Sequence, residues 1–210
     1  MTGPLPHRDG GASPGGGGVS PGGGVCGEGG GSFRAEGEVF DGDGGGPLAV
    51  AVDIGGTKIS AGLVDAAGRL TGQRRTATPA AGGGEAIMAA VLDCARPLRA
   101  LGGGRVVACG IATAGVVDAA GRVTSATDLL TGWTGTDVRS IAEHALGLPA
   151  TVVNDCHAAG TAEARLGAAR GARTALVVAV GTGIGGALVT GGTTLPGATG
   201  TAGALGHLPA

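Results

Sequence analysis

Leu48-Ala49-Val50-Ala51-Val52-Asp53-Ile54-Gly55-Gly56-Thr57-Lys58 joins a continuous apolar run to a glycine turn. An unbroken run of that kind reads as a strand covered on both faces, as in α/β sheets. Ile59, Ala61 and Leu63 then alternate with Lys58, Ser60, Gly62 and Val64, which predicts a second strand. Ala66-Ala67-Gly68 turns into a third, around Arg69–Ala77. The ordered chain therefore opens with strand, turn, strand, turn, strand, an antiparallel start.

Working outward, Gly84 to Leu101 reads as a helix with Ile87, Val91, Leu92 and Leu98 on one face, bent or shortened near its end by Pro97. Val106–Ala112 is a buried strand, and Val116–Asp118 with Arg122–Ser125 a small hairpin. A helix follows to Leu146, with Thr136 as the candidate N-cap and Gly147 as the stop. Strand 150–154 and a helix from about His157 to Gly167 come next. At 174–180 the opening device returns: a buried strand, the turn Gly181–Gly186, and a strand Ala187–Thr190. The overall expectation is an α/β protein with a mixed sheet flanked by helices. It divides into a disordered tail (1–46), a first lobe (47–172) and the start of a second lobe (173–210).

The tail expectation rests on composition. Nineteen of the first 46 residues are Gly, too little apolar surface to offset ordering entropy. At the other end, no Asp, Glu, Lys or Arg follows Arg173. A charge-free stretch is a poor free surface, so 173–210 reads as the buried beginning of a lobe whose remainder is absent.

Composition also narrows function. The formal charge of -2 makes no electrostatic case for nucleic acid or an anionic membrane. No apolar run approaches the ~20 residues of a membrane helix, and Met1–Pro6 starts no signal peptide. The four cysteines are scattered, without a C-x-x-C pair, which speaks for free thiols in the cytoplasm.

Three stretches carry candidate chemistry. In the first turn, Gly55 and Gly56 let backbone amides approach a phosphate, Thr57 and Lys58 add donors, and Asp53 can hold a hydrated magnesium ion. An ordinary Gly-Gly hairpin is the plain alternative. In the second turn, Gly181, Gly183 and Gly186 match G-x-G-x-x-G. A dinucleotide site would need a helix and then an acidic residue, and neither follows. Phosphate binding by Gly181, Thr182, Gly183 and Gly185 remains. Asp155 stands where a strand meets a helix, as either an N-cap or a general base. His207 alone reads as a polar residue without a role.

With these residues in order, the chain from about Leu48 to His207 resembles the ROK family of bacterial sugar kinases and sugar-responsive repressors, within the actin-like ATPase (ribonuclease H-like) fold. Val52–Lys58 resembles its first phosphate motif and Val180–Gly186 its second. Ala114–Asp118 and Leu130–Trp133 resemble its sugar-side segments, and Val153-Asn154-Asp155 with His157-Ala158-Ala159 its catalytic segment. The resemblance implies ATP- and magnesium-dependent phosphoryl transfer to a hexose or N-acetylhexosamine. Asp155 would be the base, with Asn154, Asp128 and His207 on the sugar side. It also implies a homodimer where the second lobe is complete, and a structural zinc to which His207 contributes.

Two departures bear on that. The family reads Gly-Glu-x-Gly-His where this chain has Gly203-Ala204-Leu205-Gly206-His207. Losing the Glu, a sugar ligand, costs about 1–3 kcal/mol in binding. No cysteine accompanies His207, so zinc is not expected here. Two rivals to the kinase stand beside it: a non-catalytic sugar-binding or regulatory relative, and a fragment without activity of its own. Residues 1–46 show no helix-turn-helix pattern, which argues against DNA binding.

Overall fold

The computed structural model describes residues 45–181 and 183–207, apart from the side chain of His207. Residues 1–44 of the proposed tail and Thr182 therefore lie outside the described residues. The main sheet begins with a meander of β1 (Leu48–Ile54), β2 (Lys58–Asp65) and β3 (Leu70–Ala77), each antiparallel to the next. β4 (Val106–Thr113) joins β1 in parallel, and β7 (Ala150–Asn154) joins β4 in parallel. Between them, β5 (Val116–Val117) and β6 (Val123–Ser125) form the expected hairpin. The order β3-β2-β1-β4-β7 gives the mixed sheet of the actin-like ATPase fold. β7 is parallel to β1 and two places along in the sheet. This brings its C-terminal end level with the Gly55-Gly56 turn, because Ile54 pairs with Thr113 and Thr113 with Asn154.

Helix α1 (Gly83–Gly102) covers β1–β3, and α2 (Val138–Leu146) packs beside it and on β7. Val50, Ile54, Ile59, Ile87, Val91 and Leu98 are all fully or almost fully buried in the core between these layers. α1 forms because Ile87, Met88, Val91, Leu92, Ala95 and Leu98 fall on one face, with Glu85 in the first turn and Arg99 in the last. Pro97 does not end it. Proline removes one intrahelical hydrogen bond, and the burial of Cys94, Ala95 and Leu98 around it carries the helix through to Gly102. α2 is capped by Asp137, whose side chain accepts from Ser140 N, rather than by Thr136. The Thr136 backbone is engaged elsewhere, with Trp133 O and Val123 N.

A second sheet has the order β10-β9-β8, built from β8 (Thr174–Val180), β9 (Ile184–Thr190) and β10 (Thr193–Leu195). β9 starts three residues earlier than expected, and β10 had no counterpart in the sequence reading. Helix α3 (Asp155–Leu166) lies against β8–β10 and also touches β7 and β4. It thereby links the end of the main sheet to the second one. Among the described residues, no helix is long and apolar enough to cross a membrane.

Candidate active site

The site forms around the β7–α3 junction. Asn154 is the N-cap of α3: its Oδ1 accepts from Cys156 N at 2.9 Å and His157 N at 3.2 Å. Its Nδ2 donates to Gly115 O at 2.9 Å. Asn154 thus satisfies the helix terminus and ties β7 to the loop after β4. Asp155 is then the first helical residue and not the cap. It stands half-buried at the positive end of the helix, with Oδ1 accepting from Cys156 N at 2.8 Å.

Residues to which the sequence reading gave no part in this junction, or only a place in a sugar-side segment, hold it together. Gly115 has φ +103, and a Cβ there would lie 2.5 Å from Ser125 O, so only glycine can present its carbonyl to Asn154. The indole of the fully buried Trp133 donates to Thr113 Oγ1 at 3.0 Å, fixing the strand end that leads into Gly115. Glu143 of α2 accepts from Ala150 N at 3.0 Å and anchors the start of β7. None of these contacts is visible as a local motif, because the partners are far apart in the chain.

The first glycine turn faces this junction across β4. Gly55 N donates to Lys58 O, Thr78 Oγ1 donates to Gly55 O at 2.7 Å, and Ala114 N donates to Ile54 O at 3.2 Å. Neither Gly55 nor Gly56 takes a positive φ. Thr57 and Lys58 are exposed beside them. Asp53 is exposed at the residue level, yet the loss of water around its carboxyl raises it above its ordinary value, the charge of Asp155 raises it further, and Lys58 opposes both. A second carboxylate close enough to disfavour the charge on Asp53 suits a cation held partly through water. That is how magnesium is kept, by one or two carboxylates and phosphate oxygens. Among the described residues, no group of three or more His, Cys, Asp or Glu side chains gathers into a complete protein cage for a metal.

Of the second turn, Gly181 and Gly183 are exposed and open on the side where a Cβ would sit. Gly185 and Gly186 serve packing instead. A Cβ at Gly185 would meet Cys156 Sγ at 2.5 Å, and one at Gly186 would meet Val177 O at 2.6 Å. Burial and the Asp155 charge push the Cys156 thiol up to about 11, so it stays protonated and is no nucleophile near neutral pH. Asp128 is exposed in the Thr127–Leu130 turn, whose Leu129 lies against Gly56. Among the described residues it makes no hydrogen bond to Asn154 or Asp155. Leu205–His207 forms a short 3₁₀ turn beside β9.

The profile of the ROK family matches residues 49–210. The glucokinase of Streptomyces coelicolor is 35% identical over 161 residues, which span 77% of this chain and 49% of that one. The N-acetylmannosamine kinase of Escherichia coli O9:H4 is 34% identical over 159 residues, 75% of this chain and 53% of that one. The crystal structure of a ROK family glucokinase from Streptomyces griseus, in complex with glucose and AMPPNP, superposes with a TM-score of 0.69. It is 36% identical, with 77% of this chain and 50% of that chain covered. The chain thus spans about half the length of these relatives.

Proposed function

The chain belongs to the ROK family, and from that premise we propose that it carries the catalytic half of an ATP-dependent hexose kinase, with Asp155 as general base. The observation that carries this reading is the division of labour at the β7–α3 junction. Asn154 takes the capping role, so Asp155, whose Oδ1 accepts from the neighbouring Cys156 N, is not required as the helix cap. In the proposed reaction a sugar hydroxyl oxygen attacks the γ-phosphorus of ATP. The bond from that phosphorus to the β–γ bridging oxygen breaks, ADP leaves, and the hydroxyl proton passes to an Asp155 oxygen. Gly55, Gly56, Thr57 and Lys58 on one side, and Gly181, Thr182 and Gly183 on the other, would line the phosphates. Asp53 would hold magnesium through water. Bound there, the ion would supply charge neutralisation to the phosphates. Asp128, Asn154 and the 203–207 segment would border the sugar, with Asn154 acting mainly by holding the Gly115 carbonyl and the helix end.

The sugar class is drawn from the relatives, one named for glucose and one for N-acetylmannosamine. A coupled assay with ATP, magnesium and both sugars tests the reading. Asp155→Asn should cut turnover by about 10²–10⁴-fold, the usual worth of a positioned base, while sugar affinity stays within a few-fold. Turnover equal to that of the unaltered chain would overturn the assignment. Ala204, which offers no acceptor where the family has Glu, favours a second reading: a sugar-binding relative without turnover. Calorimetric sugar binding with no ATP consumption selects it.

A further inference from the structure

His157 is not needed for the capping of α3 beyond its backbone N–H, yet its ring reaches across the chain. Nε2 lies 3.0 Å from Ala202 O. A carbonyl oxygen only accepts, so Nε2 carries the proton and donates, in the neutral ring as in the charged one. The His157 backbone carbonyl is bound as well, by Thr161 Oγ1 at 3.0 Å and by Thr194 Oγ1 of β10 at 3.4 Å. This one residue therefore ties the first turn of α3 both to the second sheet and to the loop that follows it.

That loop, 196–204, closes a ring of contacts that starts and ends at the head of α3. Ala202 N donates to Pro196 O, and Ala204 N donates to Thr201 O. A Cβ at Gly200 would lie 3.1 Å from Val116 Cγ1 and 3.4 Å from Val117 O, so the loop backbone rests on the β5–β6 hairpin. The hairpin's leading residue, Gly115, is the one bonded to Asn154. Gly203 packs on β9, where a Cβ would come within 2.6 Å of Gly186 O. The ring thus runs from Asn154 to Gly115, to Val116 and Val117, to Gly200, to Ala202, and back to His157, with Asp155 between its two ends.

We infer that His157 is a positioning residue: its Nε2–H latches the 196–204 loop against α3 and so builds the sugar-side wall next to Asp155. The inference rests on the kinase or sugar-binding reading above for what the wall contacts, but not for the latch itself. The ring of contacts would fix the loop backbone before a sugar arrives, which lowers the ordering cost of binding.

The test uses the full 210-residue chain with glucose as the probe, and compares His157→Ala with His157→Gln. The Gln amide nitrogen sits at a similar reach and can donate to Ala202 O. In His157→Ala, amide hydrogen exchange in a peptide covering 196–204 should speed up, while peptides from β1 and β4 keep their protection and report an intact fold. Glucose affinity by calorimetry should fall about tenfold, the scale of one lost buried hydrogen bond. His157→Gln should restore both. Unchanged loop exchange in His157→Ala overturns the latch. So does a Gln variant as poor as the Ala variant in both readouts, since the ring's shape and not its donor would then matter. If the unaltered chain binds neither glucose nor N-acetylmannosamine, the functional reading falls, and loop exchange alone decides the latch.

Discussion

The strand–glycine turn–strand device occurs twice in this chain, and the two copies are stabilised in opposite ways. In the first, β1 and β2 lie inside a five-stranded sheet, and Ile54 and Ile59 on either side of the turn are fully buried. Thr78 and Ala114 bind the carbonyls entering the turn. In the second, β8 is the edge of a three-stranded sheet, and the flanking Val180 and Ile184 are 78% and 55% exposed. Among the described residues of β8 and β9, Gly186, Ala187 and Val189 are the buried ones, on the strand packed next to α3. The same sequence pattern thus yields a core element where neighbouring strands and helices cover it, and a surface element where a single helix does. Pattern sets the local geometry, and tertiary cover sets the stability.

The sharpest way to break that contrast is to truncate the equivalent apolar residue before each turn. Ile54→Ala removes a fully buried side chain and should cost about 2–5 kcal/mol, read as a lower urea midpoint. Val180→Ala, at a site 78% exposed, should stay within about 0.5 kcal/mol. Equal losses at the two sites would mean that the second sheet is covered in solution to the same degree as the first, and the contrast would fail.

The glycines test it at closer range. Gly186 lies under Val177 O and Gly203 O, with a hypothetical Cβ at 2.6 and 3.1 Å. Gly186→Ala must push backbone aside and should destabilise by about 1–3 kcal/mol. Gly181 has nothing within 4 Å and no positive φ, so Gly181→Ala should leave stability within about 0.5 kcal/mol. Any effect there should fall on nucleotide affinity. Thermal melts with and without an ATP analogue separate the two. A silent Gly186→Ala would show that the second glycine motif is free of packing duties.

This also explains what was readable in advance. Apolar runs and glycine turns placed β1, β2, β4 and β7 correctly, because buried strands carry their signal locally; β8 falls where expected, but none of its residues is buried, because it is a sheet edge covered only in part by α3. β10 was missed because Thr193-Thr194-Leu195 is three residues long and acquires strand geometry only by pairing with Thr190, Val189 and Leu188. Thr136 lost the capping role to Asp137 because Trp133 and Val123 hold the Thr136 backbone. Motif order singled out Asp155, yet Asn154 as the true cap, Gly115 as its partner 39 residues away and Thr78 as the brace 23 residues away depend on contacts no spacing encodes.

The mildest test concerns charge, where the two regions differ most simply. No Asp, Glu, Lys or Arg follows Arg173, so the second sheet has no side-chain carboxylate whose titration can tune it. The first turn has Asp53, whose carboxyl is raised above the ordinary 3.8 by the loss of water around it and by Asp155. A raised carboxyl holds its proton more tightly in the folded chain than in the unfolded one. Between 3.8 and the raised value, the folded state binds more protons, and stability falls as pH rises through that window. Above it the strain of the charged form persists in full. Asp53→Asn should therefore raise the thermal midpoint slightly at pH 7, and the gain should shrink to nothing below pH 3.8. The same substitution should weaken magnesium-dependent phosphoryl transfer, a trade of function against stability at one carboxylate. A midpoint that falls at neutral pH would mean that Asp53 is stabilised by Lys58 more than it is penalised by Asp155. The first turn would then be an ion pair that happens to contain glycines, and not a site held under strain for a cation.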